Sequence, residues 1–317
     1  MTDTQNEVFK TPVNKIRLFE HGAPGSQNLK LTRKYYTEDM PDGRVKHIVQ
    51  NITDPDIVPY IPDGIGNSTD RQRIPAVLII PGGAFRRLVY NFEGEDVAKW
   101  LNSMGIAAFV LECRLPSDEH DNAEDVPLIG AMRAMRVIRG RAQEFGIDEA
   151  KIGVMGFSAG GFMAALLSTA YESDVYADYK YKDEYDKLSA RPDFAVCSYP
   201  VISIDDCIEA GKRYMSEEQV LERISDGKAK ILHKYNPDKL VRPDMPPVFI
   251  CETDDDRTTL SENSVGFYMA ARKAGVSAEL HIFRTGGHGY GCGDDFAQTG
   301  EWKVLFTKWI KSIGIIS

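Results

Sequence analysis

Along the chain, unbroken apolar runs of strand length alternate with stretches whose apolar residues recur at helical spacing. Pro75–Ile80 is the first such run and Ile106–Leu111 the next. A run apolar at every position predicts a strand covered on both faces, as in a parallel sheet. Between them, Glu93–Met104 sets Val97, Trp100, Leu101 and Met104 on one helical face, closed by Gly105. The alternation continues with a helix over Val126–Phe145, whose Arg133, Arg136, Arg139 and Arg141 are expected to meet solvent or acidic neighbours. Strands follow at Lys151–Met155, Asp193–Tyr199, Val248–Cys251 and Glu279–Phe283. Helices are predicted over Phe162–Thr169, Ser261–Ala274 and Gly300–Ile313. Strands alternating with helices predict an α/β protein with a mostly parallel sheet and helical crossovers.

The remaining stretches break this rhythm. Residues 1–74 read as N-terminal strands and loops, with a short strand at Lys15–Phe19, an edge strand at Val45–Ile52, and turns over Asp54–Pro59 and Tyr60–Asn67. Tyr171–Arg191 is polar and tyrosine-rich, and reads as a surface helix carrying a tyrosine stripe. Ile204–Tyr235 is charged and helical in pattern, so residues 204–240 predict a cap over the C-terminal edge of the sheet. No internal repeat is visible, and 317 residues suit a single large α/β domain over 1–317.

Composition narrows the function classes. The net charge of −9 argues against a nucleic-acid or anionic-membrane partner. Arg71, Arg73, Arg86 and Arg87 are read as a solvated face. The five cysteines are widely spaced with no C-x-x-C, so neither a zinc site nor a disulfide framework is expected, and a reducing cytoplasm fits. The polar start carries no apolar leader segment. The longest apolar runs are far too short to span a bilayer. Sequons at Asn51 and Asn67 carry little weight without a secretion signal.

Candidate chemistry begins at Gly156-Phe157-Ser158-Ala159-Gly160-Gly161, between a predicted buried strand and a small-residue helix. This matches G-x-S-x-G, a turn that projects a serine hydroxyl from a strained backbone. The glycines remove Cβ atoms where strand and helix nearly touch, and the helix N-terminus faces developing negative charge. Taken alone, the motif also fits a tight turn with an incidental serine. Three further stretches raise its weight. Pro81-Gly82-Gly83-Ala84-Phe85 ends the first buried strand, where backbone N–H groups can form half of an oxyanion hole. Glu252-Thr253-Asp254-Asp255-Asp256-Arg257 ends another, and an acid at 254–256 can orient a histidine. Gly286-Gly287-His288-Gly289 ends the last. The order Ser, Asp, His, each at a strand end, is that of a hydrolase triad on this architecture.

On these residues the chain resembles the α/β-hydrolase superfamily, esterase/lipase class. It is similar to the acetyl-xylan and feruloyl esterase-like branch, over roughly residues 75–313. Glu93-Gly94-Glu95, Trp100-Leu101-Asn102, Gly105-Ile106-Ala107-Ala108 and Ser198-Tyr199-Pro200-Val201-Ile202 add to the likeness. The resemblance implies an α/β-hydrolase fold with a helical cap, and a triad of Ser158, His288 and Asp255, the first acid of the doubled pair. It implies an oxyanion hole from Ala159 with Gly82 or Gly83. It implies hydrolysis of short-chain acyl esters, acetylated sugars among them, with no cofactor and no metal. Pro81 stands where many relatives have His, Ala84 where they have Gly, and Glu252 where they have Gly or His. The expected partner is a small ester, with neither nucleic acid nor membrane; a homo-oligomer stays open. Two other classes compete. A prolyl-oligopeptidase-type peptidase or amidase would need a propeller-length N-terminal domain, and a non-catalytic binding protein would usually have lost the serine or histidine.

Overall fold

A computed structural model describes residues 9, 12–64, 73–213, 216, 218–219, 228–293 and 298–317. Asn67, Arg71 and part of the expected cap lie outside them. The apolar runs fold as strands β5 (Ile74–Ile80), β7 (Ala107–Glu112), β8 (Ile147–Phe157), β9 (Ala195–Ser198), β10 (Val248–Thr253) and β11 (Ala278–Phe283). All six run parallel, and β5, β7, β9 and β10 are buried along almost their whole length, as their continuous hydrophobicity requires.

Two more strands extend this sheet, β1 (Ile16–Arg17) and β4 (Asp56–Tyr60). The eight strands lie in the order β1-β4-β7-β5-β8-β9-β10-β11, with β4 antiparallel to both neighbours. The expected turn at Asp54–Pro59 is therefore largely a strand. Its proline is tolerated because β1 pairs only with Asp56 and Ile57, which leaves Pro59 on a locally free edge. Val45–Ile52 is corrected as well. As β3 (Val45–Gln50) it is the middle strand of a separate sheet, between β2 (Lys34–Asp39) and β6 (Leu88–Val89). A buried ionic cluster ties this N-terminal region to the main sheet: Glu112, at the end of β7, accepts Lys15 and Arg33 at 2.7 Å each.

Helices α1 (Asp96–Ser103), α2 (Val126–Gly140), α3 (Ala142–Phe145) and α4 (Ala159–Ala170) connect these strands. They are followed by α5 (Ile204–Lys212), α6 (Lys228–Lys234), α7 (Ser261–Lys273) and α8 (Trp302–Ser312). Trp302, Phe306 and Trp309 on α8 are buried, as their helical spacing predicts. The 171–191 stretch departs from expectation. Instead of a surface helix it is turns and one 3₁₀ turn at Glu184–Lys187, capped by the Asp183 side chain. Tyr171 and Tyr176 face inward, and only Tyr181 among its tyrosines is well exposed. Arg133 of α2 is 4 % exposed and pairs with Asp183 and Asp186 of this stretch.

Candidate active site

Strand β8 delivers Ser158 onto a backbone that L-residues avoid, φ 54° and ψ −118°. Neighbours enforce this strain. A Cβ on Gly156 would lie 1.9 Å from the Gly160 oxygen, and one on Gly160 would lie 1.9 Å from the Ile80 oxygen. No residue but glycine fits at either position. Ser158 donates its N–H to the Ser198 oxygen at 3.0 Å, and its own carbonyl accepts from Phe162 at 3.0 Å. Helix α4 starts at the next residue, so its positive dipole end lies beside the hydroxyl.

The loop after β11 bends through Gly286, Gly287, Gly289 and Gly291, all at positive φ. It carries His288 to Ser158, with Nε2 2.8 Å from Oγ. On the other side of the ring, Nδ1 lies 2.7 Å from Asp256 Oδ2. Asp256 is 3 % exposed and accepts three more hydrogen bonds, from the N–H groups of Thr258 and Thr259 and from the Thr259 hydroxyl. Burial pushes its carboxyl up, but the bonds from His288 and the backbone outweigh this and hold it below the ordinary carboxylate value.

Asp255, the acid implied by resemblance, does not reach the histidine. Its Oδ1 instead accepts the N–H groups of Gly286 and Gly287 at 2.9 and 2.8 Å. The turn after β10 decides between the two acids. Asp254 donates its N–H to the Phe283 oxygen, and Asp256 donates to the Thr253 oxygen. This turns the second acid of the pair inward and leaves the first against the histidine loop's backbone. Behind Asp256 lies a further acid, Glu252, fully buried. Burial first, then the Asp256 charge, push its carboxyl well up and favour its protonated form.

The loop after β5 also differs in detail from expectation. The Gly82 N–H, expected as a candidate oxyanion donor, donates to Glu93 Oε2 at 2.8 Å. Gly83 sits at φ 135°, and Ala84 and Phe85 at 58° each, so the loop coils tightly over Ser158. A Cβ on Gly82 would lie 2.9 Å from the Ser158 Cβ. Glu93 and Tyr199 are site residues whose place the sequence did not reveal. Both fall in stretches quoted for the resemblance, yet an acid ahead of a helix reads as a solvated, dipole-favoured residue.

Beside Ala159 and Gly82 is a small cavity of about 10 Å³, lined by Ile80, Phe85, Leu88 and Met163. That is roughly the space one water needs. Among the described residues, no cluster of three or more His, Cys, Asp or Glu could hold a metal ion. No described helix is long and apolar enough to cross a membrane.

Comparison with known proteins finds likeness over most of the chain. Residues 65–270 match the BD-FAE family model. The chain is 30 % identical over 240 residues to an acetylxylan esterase of Xylanibacter ruminicola, covering 75 % of this chain and 45 % of that one. It is 30 % identical over 227 residues to endo-1,4-beta-xylanase B of Butyrivibrio fibrisolvens, covering 71 % of this chain and 34 % of the other. It thus spans less than half the length of either curated relative. Among solved structures, an acetyl ester-xyloside bifunctional hydrolase from Caldicellulosiruptor lactoaceticus is 35 % identical, with a TM-score of 0.70 over 96 % of this chain and 97 % of that one. With its parallel sheet, its strand-end serine and this match over most of its length, the chain belongs to the BD-FAE family and is built on the α/β-hydrolase fold.

Proposed function

We propose that the protein is a serine carboxylic-ester hydrolase acting on short-chain acyl esters, with acetyl groups on xylo-oligosaccharides as its natural class. The unbroken hydrogen-bonded chain Ser158–His288–Asp256 carries this reading. His288 takes the proton from the Ser158 hydroxyl as the oxygen attacks the ester carbonyl. Asp256 accepts the Nδ1–H and stabilises the imidazolium. The N–H groups of Ala159 and Gly83 hold the oxyanion, Gly82 being committed to Glu93. His288 protonates the departing alcohol, then activates a water that releases the acid and frees Ser158.

The substrate class has two supports. Two of the relatives are named an acetylxylan esterase and an acetyl ester-xyloside bifunctional hydrolase. The cavity beside Ala159 and Gly82, lined by apolar side chains with Arg87 and Arg114, is of a size for a methyl group. Buried free thiols at Cys113, Cys197 and Cys251 support a reducing, cytoplasmic setting.

The test is hydrolysis of p-nitrophenyl esters from acetate to decanoate, then of acetylated xylo-oligosaccharides. Acetate is expected to be the best ester, and Ser158→Ala to lower kcat by about 10⁴-fold or more. Release that survives Ser158→Ala would sink the serine mechanism, and a preference for decanoate would sink the short-chain reading.

A further inference from the structure

The chemistry just described uses no atom of Glu93, yet this carboxylate joins three of the loops that build the site. Glu93 is 5 % exposed and lies in a π turn at Asn91–Glu95, ahead of α1. Single π turns inside helices recur at functional sites. Oε2 accepts the Gly82 N–H of the loop after β5. Oε1 accepts the Tyr199 hydroxyl at 2.9 Å, from the end of β9. The same hydroxyl accepts the Gly291 N–H at 3.0 Å, from the histidine loop after β11. The Tyr199 ring also meets the His288 ring edge-on, with centroids 5.0 Å apart. Tyr199 is itself held at φ 36°, a strained backbone for a bulky residue, and its N–H is fixed to the Cys251 oxygen at 2.7 Å.

We propose that Glu93 is a positioning residue: through Gly82 and Tyr199 it holds the oxyanion loop and the histidine loop in one fixed geometry around Ser158. The inference rests on the serine-hydrolase reading of the site. Removing the carboxylate strands two buried donors, the Gly82 N–H and the Tyr199 hydroxyl, and buried groups without partners force local rearrangement. Both loops then have reason to move, and the reaction is sensitive to shifts of about 1 Å. The role is geometric rather than electrostatic. Burial raises the Glu93 carboxyl, while the His288 charge and the two donors pull it back. A neutral amide in its place keeps an acceptor for the Gly82 N–H and can donate to the Tyr199 oxygen, so that only the Tyr199 hydroxyl proton loses its partner.

The test uses two readouts on the purified full chain. One is the rate at which a fluorophosphonate probe labels Ser158, which requires the activated serine but no ester. The other is kcat and KM on p-nitrophenyl acetate, per labelled serine. Glu93→Ala is expected to slow both labelling and kcat by about 10²-fold, with KM within about threefold of wild type. Glu93→Gln should recover to within about fivefold of wild type. Tyr199→Phe should be slowed, and Glu93→Ala combined with Tyr199→Phe should be slowed by less than the product of the two single effects, since they share the Glu93–Tyr199 hydrogen bond.

Wild-type labelling in Glu93→Ala, with only a lowered Tm, would overturn the proposal. So would Glu93→Gln as slow as Glu93→Ala, which would point to charge instead of position. If Glu93→Ala does not fold, Tyr199→Phe labelled at the wild-type rate overturns it equally. A wild type labelled at Ser158 but inert on every ester would sink the ester reading alone, and the Glu93 dependence of labelling would still decide the proposal. A wild type that is never labelled sinks both.

Discussion

At the residue scale, two neighbouring acids have different tasks. Asp256 holds the His288 ring, while Asp255 holds the backbone of the loop that carries it. Asp256→Asn removes the acceptor that fixes the histidine tautomer, and kcat should fall by about 10³- to 10⁴-fold. Asp255→Asn keeps one oxygen toward Gly286 and Gly287, and its loss should stay within about tenfold. Steady-state rates of the two variants on p-nitrophenyl acetate check this, and the reverse order would reassign the acid. The serine, the histidine and the local run of acids were legible in the sequence because each sits at a strand end with few turn geometries open to it. The choice within Asp254-Asp255-Asp256 was not. It depends on which N–H closes the turn after β10, and every residue there has one. Glu93 stayed hidden because nothing in Phe92-Glu93-Gly94-Glu95 distinguishes a buried acid from a solvated one.

At the scale of elements, legibility follows burial. Strands apolar along their whole length were read within a residue or two at most ends, since only a covered sheet has a use for them. Strand β4 was missed because its Asp56 is buried by pairing with Arg33 and its Pro59 is allowed by register, facts of tertiary contact. The 171–191 stretch was misread because its tyrosines follow α2 rather than a helical face of their own. Tyr185 packs on α2 where a Cβ on Gly140 would lie 2.3 Å from its ring. Arg136 and Asp186 both hydrogen-bond the Tyr176 hydroxyl. Arg133 anchors the stretch, and Arg133→Ala would leave buried Asp186 without its closest cation. We expect a loss of about 3 kcal/mol in urea unfolding. Activity per folded molecule should be unchanged, because the pair lies outside the catalytic contacts. A midpoint equal to wild type would show that the stretch holds without it.

For the whole molecule, stability should depend on pH through a buried histidine far from the chemistry in sequence. His120 Nδ1 lies 3.0 Å from the Ser26 hydroxyl, which also accepts from Arg114 Nη1 at 2.8 Å. Burial, with the Arg114 charge behind it, pushes His120 from its ordinary 6.5 down to about 4. The unfolded chain takes up this proton near 6.5 while the folded chain resists until about 4. The stability tied to His120 is therefore complete above the first value and lost progressively as pH falls toward the second. The urea midpoint of the wild type should drop across this window, and His120→Asn should drop less steeply from a lower start. Parallel slopes would remove His120 as the cause.

Ser158, Asp256 and His288 follow the ends of β8, β10 and β11, and the serine and histidine stand 130 positions apart in the chain. Their meeting is thus a non-local contact of the kind that forms late, after the entropy of closing a long loop has been overcome. The strained elbow can be present on a half-assembled chain, but a chain whose last strand has not docked carries a serine with no base. On the proposed mechanism, such an intermediate cannot acylate itself on stray esters while it folds. Reactivity, on that same mechanism, is a property of the finished sheet, which makes Ser158 a reporter of completed folding as well as the centre of the site.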